Sequence, residues 1–306
     1  MAGVHDIINR INLFIKSEQE GASFADSLPD FPGKEDIENH IESFETAIAY
    51  LLLQQKIRYL ELFNAFTAKN DGDTLAAILS FFQNEVFSYD VFIEQMKEES
   101  KQFLQMSVSE FCSTIMEALD KEVPFQVLSQ RSVTWIEEWS SRLSEIMQLS
   151  TDNKVEKILT DAIENGYGID VVERNLMETE AFSRDRARKT AITEILTASS
   201  VAHQESFEQS PAVIGKRWKH SGSKAITPRQ NHIELDGTVV PVDEPFTIPG
   251  SGEKAMFPRD PNLSASERVG CHCVQGPEVD ETIFGLTAEE KQALRDEAIA
   301  ELNINS

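Results

Sequence analysis

Cys271-His272-Cys273 is the part of the chain best suited to bind something. In an extended segment side chains alternate, so two thiols two positions apart lie on one side and can both reach a single metal ion. A disulfide between them is disfavoured, because i, i+2 cysteines rarely meet the required geometry. His232 and His220 lie 39 and 51 residues upstream of Cys271. Two Cys and two His satisfy a tetrahedral zinc site, and a small, loop-rich β unit gains from such a staple. The spacing is not that of a standard zinc finger, so ordinary thiols packing a loop-rich fold are the competing reading. The third cysteine, Cys112, sits beside Phe111 in a helical stretch and reads as a small buried apolar residue. Three cysteines do not make a disulfide framework, which points to a reducing cytoplasm or to something assembled there.

A second set of residues carries charge. The chain has 28 basic and 52 acidic groups, a net charge of −24, yet Ala181–His232 is net +5. Its cations are Arg184, Arg186, Arg188, Lys189, Lys216, Arg217, Lys219, Lys224 and Arg229, opposed by Asp185, Glu194, Glu205 and Glu208. Such an island is either a helix face paired with the acidic remainder or a contact for nucleic acid or an acidic partner. The overall acidity excludes a protein that coats phosphates uniformly and a polybasic membrane-surface binder. No catalytic residue is assigned. There is no phosphate-binding Gly-rich loop, no H-E-x-x-H and no nucleophile elbow. A metal-dependent hydrolase or a nucleotide-using transferase is the alternative function. It needs an open metal position and a general base, with His220, Glu234 or Glu244 as candidates.

These residues must be positioned by two different kinds of chain. The first half reads as helical. Ile37, Ile41, Phe44, Ile48 and Leu51 follow helical spacing, and the stripe then shifts to Leu52, Tyr59, Phe63 and Phe66. Asp71-Gly72-Asp73-Thr74 breaks this helix, with Asp73 or Thr74 as the next cap. The absence of Gly and Pro between Gly72 and Pro124 predicts one or two long helices, the first running from Leu75 toward Met106 and beyond. Another follows Pro124, with Trp135 and Trp139 on one face. After the loop Asn165–Gly168 come a short helix from Ile169 and a longer one, capped by Ser183, to about Phe207. Eight of the 11 prolines and seven of the 14 glycines fall in residues 211–277, so segments there must be short. Val213–His220, Ile233–Leu235, Thr238–Val240 and Glu244–Ile248 read as strands, with Asp236-Gly237 as a hairpin turn. Pro249–Gly270 reads as mostly loop. Thr287 caps a last helix, with Glu290 in the capping-box position. The fold class is α+β, a mainly α-helical N-terminal half followed by a smaller loop-rich domain of helix and short antiparallel strands. Residues 1–150 form a helical partner-binding region, 151–280 the smaller domain and 281–306 an acidic C-terminal helix. The chain start lacks a secretory signal, and the longest apolar run, Ala47–Leu53, is far short of the roughly 20 residues a membrane helix needs.

The ordered set Arg186–Glu194 on a helix, Trp218, Arg229-x-x-His232, Leu235-Asp236-Gly237, Phe246, Phe257-Pro258-x-Asp260-Pro261 and Cys271-x-Cys273 resembles the head morphogenesis domain of tailed bacteriophages, the Mu F-like minor head family. The resemblance covers about residues 165–277. Three positions depart from the family pattern: Gly270-Cys271-His272-Cys273 stands for Asn-Cys-Arg-Cys, Arg259 for the Gly of the proline turn, and no acidic residue lies between Trp218 and Arg229. The resemblance implies a metal cluster on Cys271, Cys273 and His232, but lends no support to His220 or His272. It implies a non-enzymatic virion protein, placed in the capsid interior near the portal after assembly in the host cytoplasm. Its partners would be the portal protein, capsid or scaffold proteins and packaged double-stranded DNA, with no membrane and no small-molecule substrate. It would enter the procapsid in few copies and assist head assembly, DNA packaging and ejection, with zinc as a structural cofactor.

Overall fold

The computed structural model describes residues 24–69, 74–88, 91–222 and 228–304. The chain start, the Asp71-Gly72-Asp73 break and Lys224 lie outside them. Helix α1 is Ile37–Lys69, entered through a 3-10 turn at Lys34–Asp36. Its drifting stripe has a physical counterpart in two separate cores. Ile37, Ile41, Phe44, Ile48 and Leu52 are buried in the main core, while Tyr59 and Phe63 belong to a second one. In that second core α1 meets α2 (Leu75–Phe81, ending in a π turn at Phe82–Val86), the far end of α4 (Gln130–Asn165) and α5 (Ile169–Glu178). Thr74 is the residue before α2 but makes no side-chain cap bond. The helix expected to run from Leu75 to Met106 is two, because the chain turns after Val86 and starts again as α3, Phe92–Leu119.

Helix α4 begins where the Ser129 hydroxyl accepts from the Ser132 N–H at 3.3 Å and ends at Gly166, whose φ of 68° is the left-handed cap that glycine favours. Ser183 caps α6, Arg184–Gln209, by accepting from the Arg186 N–H. Helix α6 is the central element. Ala187, Ala191, Ala198 and Ala202 are all fully buried, and these small side chains let α1 and α3 both lie close against it. Its buried polar groups are satisfied by neighbours. Glu205 accepts from the Ser129 N–H at 2.6 Å and from the Ser129 and Ser132 hydroxyls at 2.9 and 2.6 Å, tying the start of α4 to α6. The main core draws on α1, α3, α4 and α6, and on Val213 and Phe257 from the smaller domain. Position 150 falls inside α4.

The smaller domain is built on three antiparallel strands in the order β2-β1-β5, with β1 Val213–Lys219, β2 Val239–Pro241 and β5 Val274–Val279. Lys216 lies opposite Val240 on one side and Pro277 on the other. A separate hairpin joins β3, Phe246–Thr247, to β4, Lys254–Ala255. Two expectations need correction. Ile233–Leu235 is not a strand: Ile233 N bonds Arg229 O and Leu235 N bonds Asn231 O, so this stretch closes the short helix α7, Gln230–Glu234. Asp236-Gly237 therefore does not join two strands of a hairpin. It ends α7 and returns the chain to β1, with Gly237 N bonded to Trp218 O and Trp218 N to Thr238 O, both at 2.9 Å. Strand β5 and the single-turn helix α8, Ala265–Arg268, carry too little periodicity to be read from the sequence.

The last helix, α9, is Ala288–Ile304, and the capping box forms as expected: Thr287 N and its hydroxyl donate to Glu290, whose N–H donates back to the Thr287 hydroxyl. Lys291 fastens α9 to Asp120 and Glu122 at 2.9 and 2.6 Å. No helix among the described residues is long and apolar enough to cross a membrane.

Candidate metal centre

Helix α7 and the turn before β5 bring His232, Cys271 and Cys273 together. One ligand atom from each lies within 4.8 Å of the others, and all three residues are buried. His232 Nδ1 is 3.5 Å from Cys271 Sγ and 3.7 Å from Cys273 Sγ. On its other side, Nε2 meets Glu267 Oε2 at 3.0 Å, while the second oxygen of Glu267 accepts from Asn231 Nδ2 at 2.8 Å. A carboxylate on Nε2 holds the proton there and leaves the Nδ1 lone pair toward the sulfurs, the arrangement that orients an imidazole for a metal. Trp218 backs the ring, with centroids 5.4 Å apart, and Phe246 backs Trp218.

Cys273 donates toward Cys271, which lowers Cys271 below the ordinary thiol value and raises Cys273 above it. Two thiolates and one neutral imidazole, with a carboxylate behind the imidazole, are a donor set suited to a tetrahedral, borderline-soft cation such as zinc, with one position left. The residues present therefore fit that metal.

His220 is not in the three-residue cluster. It lines a small cleft beside it, together with Ser221, Pro228 and Arg229. Its Nδ1 accepts from the Gly222 N–H at 3.0 Å. His272 turns the other way, as alternation requires. Its Nδ1 meets the Ser27 hydroxyl at 3.1 Å and its ring lies edge-on to Phe24. Glu234 and Glu244, named as possible general bases, are exposed and line no part of that cleft.

Arg259 and Glu267 are the residues that sequence reasoning missed. Arg259 has a φ of 68° and is 1% exposed. Its guanidinium donates to the carbonyls of Cys271 and Cys273 at 2.9 and 2.5 Å, and to the Ser200 hydroxyl on α6 at 2.6 Å. The substitution at the proline turn was the one available signal for it. Nothing local marks Glu267, which reaches His232 only through the fold.

Most of the cations named for nucleic-acid or partner contact, Lys189 apart, have partners inside the chain. Arg184 and Arg188 pair with Glu45 of α1, and Arg188 also with Glu38. Arg186 donates to the carbonyls of Met147 and Ala181 and to Thr151. Lys216 is fully buried on Gln204 Oε1 at 3.0 Å, and burial brings it down to about 8. Arg217 pairs with Glu278, Lys219 donates to Asp30 O, and Arg229 donates to the carbonyls of Ser266 and Val269. Lys189 lines a groove between α4 and α6 with Met147, Lys154 and Arg268. Glu194, at the end of the arginine-rich run, also turns inward: its two oxygens accept from Trp139 Nε1 and from Arg268, both at 2.7 Å.

A helical layer fused through α6 to a small antiparallel sheet, with a Cys-x-Cys and a carboxylate-backed His at its centre, defines a compact α+β module. The family model described as phage Mu protein F like protein matches residues 153–276 of the chain. A protein of Bacillus subtilis (strain 168) bearing the name "Uncharacterized protein YqbB" is 48% identical over 298 residues, covering 97% of this chain and 98% of that one. The NAD(+)–arginine ADP-ribosyltransferase EFV of Enterococcus faecalis (strain ATCC 700802 / V583) is 34% identical over 144 residues, 46% of this chain but only 28% of that protein. No solved structure matches. At 48% identity over nearly its whole length the chain belongs to one family with that Bacillus subtilis protein, and its residues 153–276 are a phage Mu protein F-like region.

Proposed function

We propose that the protein is a minor head protein that binds the portal, enters the procapsid in few copies, and assists head assembly and the packaging and ejection of DNA. The observation that carries this reading is the family match over residues 153–276, a span that contains α6, the sheet and the cysteine cluster. Residues 151–280 act as the head module, 1–150 as the partner-binding region and 281–306 as an acidic helix closing the α3–α4 connection. A protein partner has better support than DNA. Ile146 and Val269 line the groove between α4 and α6 at 47% and 50% exposure, and Leu149, one turn along α4 from Ile146, is 60% exposed, whereas most of the named cations are already engaged. Direct contact with packaged DNA by a chain of net charge −24 would be weak and sensitive to salt.

Cys271, Cys273 and His232 hold a structural zinc in this reading, with His220 across the cleft as the candidate fourth ligand. The similarity to an ADP-ribosyltransferase reaches only 28% of that protein's length. Co-expression with the portal protein of the same phage, followed by size-exclusion chromatography at low salt, tests the assignment. A stable complex is expected, and replacing Leu149 with Asp should weaken it. Complete separation of the wild-type protein from assembled portal rings would refute it.

A further inference from the structure

We infer that Arg259 is a positioning residue for the metal cluster: it sets the Cys-x-Cys segment in its ligand-holding shape and ties it to helix α6. This inference rests on the zinc reading given above. Residue 259 sits in the left-handed region, where a side chain is strained and where the family pattern has glycine. An arginine held there must be offset by what its side chain does. The guanidinium is buried and planar, and its two terminal nitrogens span three acceptors: the carbonyls of Cys271 and Cys273, and Ser200 on α6. The two carbonyls belong to the two sulfur-bearing residues themselves, so this fork fixes the backbone that aims both thiols at His232 Nδ1. Its buried positive charge also lies beside two groups that must be thiolates to bind a metal.

Glu267 performs the matching task on the other ligand, by holding His232 through Nε2. The cluster is thus braced from both sides before a metal arrives: an anion behind the histidine and a cation behind the cysteines. The bond to Ser200 carries the brace into the buried face of α6, so the metal site and the helical layer are oriented by one side chain.

The test is a comparison of zinc binding by the full chain and by Arg259→Gly, which restores the residue the turn geometry prefers. Zinc content is read by elemental analysis, affinity by competition with a chromophoric chelator, and ligand geometry by the cobalt(II) absorption spectrum. Supporting partners of metal ligands are typically worth 10–100-fold in affinity. The expected result is about one zinc per wild-type chain, zinc bound 10–100-fold more weakly by Arg259→Gly, and helical circular dichroism unchanged. A folded wild-type chain without zinc would overturn the metal reading itself. Zinc in the wild type with equal affinity in Arg259→Gly would leave that reading standing and overturn this one. If Arg259→Gly does not fold, Ser200→Ala decides: it removes one bond of the fork and leaves the turn untouched. Weaker zinc binding in Ser200→Ala supports the brace, and unchanged affinity refutes it.

Discussion

His203 illustrates how far this fold moves an ordinary side chain. It sits on α6 between Phe31 and Phe207, with Nδ1 donating to the Ser199 carbonyl at 2.7 Å. Burial pushes it down to about 4, the Ser199 carbonyl opposes this, and Arg259 and Lys219 push it lower. In the unfolded chain it titrates near its usual 6.5. Between pH 6.5 and 4 the unfolded state therefore holds a proton that the folded state does not. This stability is complete above pH 6.5 and is lost as pH falls toward 4, by up to about 3 kcal/mol. Urea midpoints measured from pH 7 to 4.5 should fall more steeply for the wild type than for His203→Phe. Parallel curves would show that His203 is not held neutral.

Among the elements, α6 has the least freedom. Ala191 is fully buried where α6 lies between α1 and α3. Ala191→Leu must push one of these helices away, at a cost of about 1–3 kcal/mol. The expected readout is a lower urea midpoint with unchanged zinc content, because Ala191 packs in the main core whereas Cys271 and Cys273 belong to a separate one. A midpoint equal to the wild type would mean that the three-helix contact is looser than the full burial of Ala191 implies. The helices themselves were legible in the chain. Ser183, Gly166 and Thr287 mark their ends, and the stripe from Ile37 to Phe63 marks the buried face of α1. The region after Pro211 was less legible. Its strands are two to seven residues long, too short for a two-residue period to be separated from chance. Ile233 and Leu235 read as strand residues by type, yet the Arg229 and Asn231 carbonyls capture their N–H groups into α7.

The molecule as a whole is not a simple sum of an N-terminal half and a head module. The main core includes Phe44 and Val108 from before position 150 and Ile195, Leu196 and Phe207 from after it. Ion pairs cross the same line, from Arg184 and Arg188 to Glu45 and from Arg131 to Glu208. A fragment ending at residue 150 would expose the faces of α1 and α3 that α6 covers and would deprive Glu45 of its arginine partners. It should show no cooperative thermal transition and should bind a hydrophobic dye. A sharp, reversible melt from that fragment would show that the helical half carries its own core.

Composition and periodicity determined the class of fold and the helix ends, the spacing of Cys271 and Cys273 put both thiols on one side, and the order of short motifs carried the family resemblance, because each depends on residues close in sequence or on their order. They also set the +5 island but not its use. Whether an arginine meets solvent or a carboxylate 139 residues away, as Arg184 meets Glu45, depends on which helices pack together. The same holds for the centre of the site. Glu267 behind His232, and Arg259 behind both cysteines, are placed by long-range contacts that no local pattern encodes. Charge and hydrogen-bonding partners are chosen by distance in space, and only the tertiary structure fixes those distances.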